Sequence, residues 1–224
     1  MSPRLRRAEQ VERNREALLE AARRVFLDRG YAAATLEAIC EEAGFSKGVV
    51  YSQFGGKADL FLALLELRID DRARRNERIA ANFSGALGVA EMIRIASRNA
   101  NVEQGWTRLL VEFRALASRD VALNKRYAEA HARTVRRLTT VLARLHDRSG
   151  IEPSVPLRSM AEFILAVDSG ITLERAVDPG ALNEEYLTVM IPRALGLHEQ
   201  RPRTSRRIVR GRPQKRSAGA PKSR

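Results

Sequence analysis

The sequence predicts an all-α protein of about nine helices, opening on a three-helix unit built around a helix-turn-helix. Three observations predict it. Apolar residues recur at helical spacing along most of the chain. Only 5% of residues are aromatic, while Ala, Leu and Arg abound, which suits helices better than sheets. And Gly44-Phe45-Ser46 parts two short amphipathic segments with a tight turn.

In chain order, residues 1–10 are basic and polar and read as a flexible arm. From Val11 to Arg29, Leu18, Ala22, Val25 and Phe26 share one helical face, and Gly30 ends the run. Thr35 caps a short acid-rich helix carrying Ile39 and Ala43. Ser46 caps a second, running to about Gln53, with Val49, Val50 and Phe54 directed inward. Two short helices joined through a Gly-containing turn point to DNA, with the second helix entering a major groove. The helix before them supplies the extra core such a pair needs to stand.

After Gly55-Gly56, Lys57 opens a long helix whose Leu60, Phe61, Leu64 and Leu65 give way to a more polar stretch after Leu67. Further helices are expected from Leu87 to about Asn101 and, beyond an interruption at Gly105, from Trp106 to Ala117. The longest periodic run spans Val121 to Arg148. A loop with two prolines leads to the most apolar helix, Leu157 to Val177, and Leu182 to Leu195 closes the helical body.

The formal charge of +13 is unevenly placed. Ten of the 40 Lys and Arg residues lie in 201–224, which holds no acid, leaving 30 basic residues against 27 acidic ones in the body. The body is close to neutral and the tail is a polycation, which suits a polyanionic partner. The single cysteine, Cys40, excludes an intramolecular disulfide and is expected as a packed thiol in a cytoplasmic protein. No apolar run is long enough to span a membrane.

The pattern Phe26, Gly30-Tyr31, Thr35, Ile39, Ala43-Gly44-Phe45-Ser46, Tyr51, Phe54, Lys57, Leu60 resembles the TetR family of bacterial transcriptional regulators. The resemblance covers roughly residues 15–62 in motif, and the remainder in length and helix order. It implies a DNA-binding domain at 11–62 and an effector-binding and dimerisation domain at 63–197; the basic residues 198–224 read, by composition, as a disordered tail. Position by position, it implies that Thr35, Tyr51 and Lys57 meet DNA phosphates and that Ser46, Lys47, Gly48 and Val49 form the reading edge, with Gln53 near the backbone. Leu36, Cys40 and Gln53 depart from the family's usual residues there. It further implies a homodimer on an approximately palindromic duplex, with half-sites roughly 34–36 Å apart or a multiple of that.

The same resemblance places a small effector among residues 87–180, and the low polarity of the candidate lining there points to a mostly apolar one. Candidate lining is Trp106, Leu110, Phe113, Tyr127, His131 and Phe163, with Glu112 and Asn124 as further polar interruptions. The helices at 157–177 and 182–195 are expected to build a four-helix dimer interface. The functional expectation is a repressor released by its effector. An activator of the same fold and a DNA-organising protein without ligand remain as alternatives. No enzyme is expected: His131, His146 and His198 form no ligand cluster, and Gly55-Gly56-Lys57 lacks the strand and spacing of a phosphate loop. No cofactor or metal is expected. In the tail, Arg210-Gly211-Arg212-Pro213 looks like the core of an AT-hook; a minor-groove contact, general attraction to DNA and an inert tail all fit.

Overall fold

The computed structural model describes residues 3–98 and 100–197. The tail, with Arg210 to Pro213, lies outside the described residues. Among the described residues there are nine helices and no strand: α1 (Pro3–Ala33), α2 (Leu36–Ala43), α3 (Lys47–Phe54), α4 (Lys57–Asn82), α5 (Gly85–Arg98), α6 (Ala100–Ala117), α7 (Val121–Ser149), α8 (Leu157–Val177) and α9 (Glu184–Ala194).

Two boundaries differ from the expectation. α1 starts at Pro3, ahead of Val11. Proline is well suited to a first helical position, and the Arg, Leu, Ala, Glu and Gln residues after it are good helix formers. α6 runs through Gly105 instead of beginning after it. There a Cβ would lie in van der Waals contact with Leu27 Cδ2, at 3.4 Å, so α6 passes close to α1 at this glycine.

The helix-turn-helix follows its local signals. The Thr35 hydroxyl accepts the Ala38 amide at 3.1 Å and caps α2. Gly44, at φ 71°, ends α2 with paired bonds from Phe45 N to Cys40 O and from Gly44 N to Glu41 O. Ile39, Val50 and Phe54 enter the core, and burial pushes the Cys40 thiol above its ordinary range.

Two apolar cores form. The first joins Leu18, Phe26, Ile39 and Val50 of α1–α3 to Phe61 of α4, Phe113 of α6 and Tyr127 of α7. The second lies among α5, α7 and α8, around Val89, Leu142, Leu145 and Met160, and takes in Leu195 and Leu197. The helix-turn-helix therefore shares its core with α6 and α7 rather than standing apart. Aromatic rings mark the path from Phe26 through Phe61 and Phe113 to Tyr127, with successive centroids 5.5, 4.3 and 5.6 Å apart.

α4 and α7 run parallel and in register. Arg126 pairs with Asp59, Arg133 with Glu66 and Arg137 with Asp70, while Arg148 donates to the Ala81 carbonyl, each pair separated by 67 positions. A constant separation is what parallel helices require. These bonds are exposed and individually weak; their effect is to hold α4, which starts beside the helix-turn-helix, to one line along α7.

Candidate nucleic-acid interface and effector cavity

The candidate DNA-facing edge is the start of α3. Ser46 occupies the N-cap position, but its hydroxyl makes no cap bond. The first amides of α3 and the Ser46 hydroxyl thus stay available to an anion at the positive end of the helix. Thr35, Ser46, Lys47, Gly48 and Tyr51 are exposed together, Tyr51 at 56%. Val49 and Gln53 are half-buried, and the Gln53 Oε1 is buried with no partner. Lys47 forms an ion pair with Glu37 of α2, which holds the lysine ammonium above its usual range and the carboxyl below its own.

Lys57 is placed differently. Its Nζ donates to the carbonyls of Tyr31, Ala32 and Ala34 at 2.9, 3.3 and 2.8 Å and lies 4.5 Å from the centre of the Tyr31 ring. Burial lowers its pKa, and Glu112 partly opposes that. The last turn of α1, beyond the break at Gly30, is gripped from the other side as well. Glu112 of α6 accepts the Tyr31 amide at 2.9 Å and the Ala32 amide at 2.7 Å. Gly30, at φ 77° and ψ 169°, makes room: a Cβ there would sit 2.7 Å from Glu112 Oε2. One acid from α6 and one lysine from α4 therefore fix the short segment that delivers Thr35 to the edge. Sequence reasoning put Glu112 near the effector; its carboxylate instead faces the DNA-binding unit.

A cavity of about 100 Å³ lies between α4, α6, α7 and α8. Trp106, Leu110, Tyr127 and His131 line it. Of the other expected lining, Phe113 is fully buried in the first core and Phe163 is 44% exposed on α8, and neither reaches the cavity; Asn124 is exposed. The sequence reading missed Arg68, Arg72, Arg114, Arg137 and Asp168, which also line the cavity. Arg68 and Arg72 are spaced four apart beside the apolar Leu65, Ile69 and Ala73, a signal that an otherwise apolar face carries charge at one side. Burial, with Arg114 next, lowers the pKa of His131, so the imidazole is neutral near pH 7. A second cavity of about 110 Å³ shares Arg72, Met92, Ile164 and Asp168 with the first and extends toward α5 and α9. Among the described residues no cluster of His, Cys, Asp and Glu is arranged to hold a metal, and no helix is long and apolar enough to cross a membrane.

Comparison with known proteins agrees with this geometry. Residues 18–64 match the family described as bacterial regulatory proteins, tetR family, and residues 89–196 match the C-terminal domain of BetI-type transcriptional repressors. The chain belongs to the TetR family. Its members are DNA-binding regulators, not enzymes. The TetR-family regulator is 26% identical over 172 residues to the HTH-type transcriptional regulator YfiR of Bacillus subtilis, across 76% of this chain and 83% of that protein. It is 45% identical over 60 residues to the HTH-type transcriptional activator FasR of Mycolicibacterium smegmatis, 27% of either chain. The Salmonella enterica GusR structure shares the fold, with a TM-score of 0.61 at 20% identity over 82% of this chain and 94% of that one.

Proposed function

We propose that this TetR-family regulator is a homodimeric repressor that leaves its operator when a small, mostly apolar effector enters the cavity between α4, α6, α7 and α8. Residues 11–62 read the DNA, and residues 63–197 take the effector and pair with a second copy. Such a protein works in the cytoplasm. On DNA, Ser46, Lys47, Gly48 and Val49 face base edges, and Thr35 and Tyr51 meet phosphates. Gln53 lies close to the backbone, and Lys57 serves the contact by fixing the segment that carries Thr35.

The observation that carries the reading is the double use of α6. Trp106, Leu110 and Arg114 line the cavity, while Glu112, on the same helix, holds the Tyr31 and Ala32 amides. A ligand that favours another position of α6 changes the placement of the recognition helix, and release follows from the difference in ligand affinity between the two arrangements. Dimerisation draws support from α8 and α9, where Leu173, Val177, Tyr186, Val189 and Met190 are exposed apolar residues on the last two helices. An activator of the same fold is favoured by the likeness to FasR, an activator by name, which extends over 60 residues. Selecting operator duplexes from a random pool and mapping their position at the regulated promoter tests both: overlap with the polymerase site supports repression, and an upstream site supports activation.

A further inference from the structure

The cavity is apolar on its floor and cationic on its wall. Met92, Trp106, Leu110 and Ile164 give the floor, while Arg68, Arg72, Arg114 and Arg137 face one carboxylate of the lining, Asp168. Arg72 meets Asp168 at a loose 3.6 Å, and Arg137 turns to Asp70 at 2.9 Å. Arg114 has no carboxylate partner among the described residues; its guanidinium lies 6.0 Å from the centre of the Tyr127 ring. Arg68 lies 5.6 Å from the centre of the Trp106 ring. Against an apolar interior the wall thus presents Arg114 of α6, with no carboxylate of its own among the described residues, and Arg72 of α4, held only loosely by Asp168.

We infer that the ligand of this cavity is an organic anion with an apolar body, its carboxylate or phosphate group held by the Arg72 and Arg114 side of the wall. This rests on the reading of the cavity as the effector site and gives that effector its charge. Guanidinium groups bind carboxylates and phosphates through paired, charge-assisted hydrogen bonds. The hydrocarbon part lies against Trp106 and Ile164 and continues into the second cavity, where Ile93, Val167 and Ile171 extend the apolar surface. A cation of the same size meets like charge at the wall, and a neutral analogue leaves the arginines without an anion. His131 also lines this wall; burial, then Arg114 and Arg158 against Glu162, lowers its pKa.

The protein carries its own reporter, because Trp106 is the single tryptophan and is 5% exposed at the cavity. The full chain is titrated with decanoate, decanol and decyltrimethylammonium below their aggregation concentrations, following tryptophan emission. The expected result is a saturable change with decanoate at a Kd at least about tenfold lower than for the other two. In the Arg72→Gln, Arg114→Gln double variant, decanoate weakens toward decanol while decanol is unchanged. Equal or tighter binding of decanol or of the cation overturns the inference. So does the absence of any emission change with carboxylates from hexanoate to hexadecanoate. Operator binding by the free protein is measured alongside: its presence with a failed anion preference removes only this inference, and its absence removes the regulator reading itself. The comparison of the three probes on the unaltered chain decides the question even if the double variant does not fold.

Discussion

The Ala32 amide donates to the Glu112 carboxylate at 2.7 Å, across 80 positions of sequence. With the neighbouring Tyr31 amide at 2.9 Å, it leaves the segment just ahead of the helix-turn-helix capped by a side chain from the cavity-lining helix. A carboxylate accepting two adjacent backbone amides is a charge-assisted arrangement, stronger than neutral hydrogen bonds. Replacing Glu112 by Ala is therefore expected to cost about 1–3 kcal/mol of stability. The same change is expected to weaken operator binding, since Thr35 loses its fixed placement. Chemical denaturation and fluorescence anisotropy with labelled operator check the two effects separately.

Gly30 belongs to the same arrangement. Its φ of 77° and ψ of 169° fall in a region that is essentially reserved for glycine, and a Cβ displaces Glu112. Gly30→Ala should lose about 1–3 kcal/mol from backbone strain and should also release the carboxylate. The double variant with Glu112→Ala should then be less destabilised than the two single changes added together. Strict additivity would mean that the two residues act independently.

At the proposed reading edge, Lys47 is paired with Glu37, which would have to give it up to DNA. Glu37→Gln frees the ammonium and removes a negative charge from the edge, so operator affinity should rise at low salt. Lys47→Ala should lower the slope of log affinity against log salt by about one unit. A lysine that never leaves Glu37 would leave that slope unchanged.

The pH dependence has a definite sign. His131 has a folded-state pKa below its ordinary 6.5, chiefly from burial. The unfolded chain therefore takes up the proton first as pH falls. The histidine's stabilising contribution is complete above 6.5 and is lost as pH drops through the folded value. His131→Gln should flatten this part of the melting-temperature profile. A wild-type profile that gains stability on acidification through the same window contradicts the assignment.

On α8 and α9, Val177 is 88% exposed and Tyr186 is 62% exposed. Charged replacements such as Val177→Glu and Tyr186→Glu should convert the dimer to monomer in light scattering and weaken operator binding, while leaving the helical content of each chain unchanged. A persistent dimer would move the interface elsewhere.

The helix-turn-helix was legible because its determinants are local. Thr35 and Ala38, or Gly44 and Cys40, are a few positions apart, and the chemistry of caps and turns acts over that distance. The long helices were legible from their spacing. What escaped depends on packing between distant segments. Nothing near Glu112 marks it as the cap of residues 31 and 32, and nothing near Gly105 announces that Leu27 of another helix packs against it. The arginine wall was hidden for the same reason. Arg68, Arg72, Arg114 and Arg137 each read as an ordinary charged position on its own helix, and only the convergence of α4, α6 and α7 brings them to one space.

The central claim is that occupancy of the cavity changes DNA affinity through α6. It is tested most directly by measuring operator affinity with and without decanoate, in the unaltered protein and in Glu112→Gln, while Trp106 emission confirms that the cavity is filled. The expected result is a loss of affinity of about tenfold or more on filling the cavity, with a clearly smaller loss in the variant. Equal operator affinity of the filled and empty forms would contradict it.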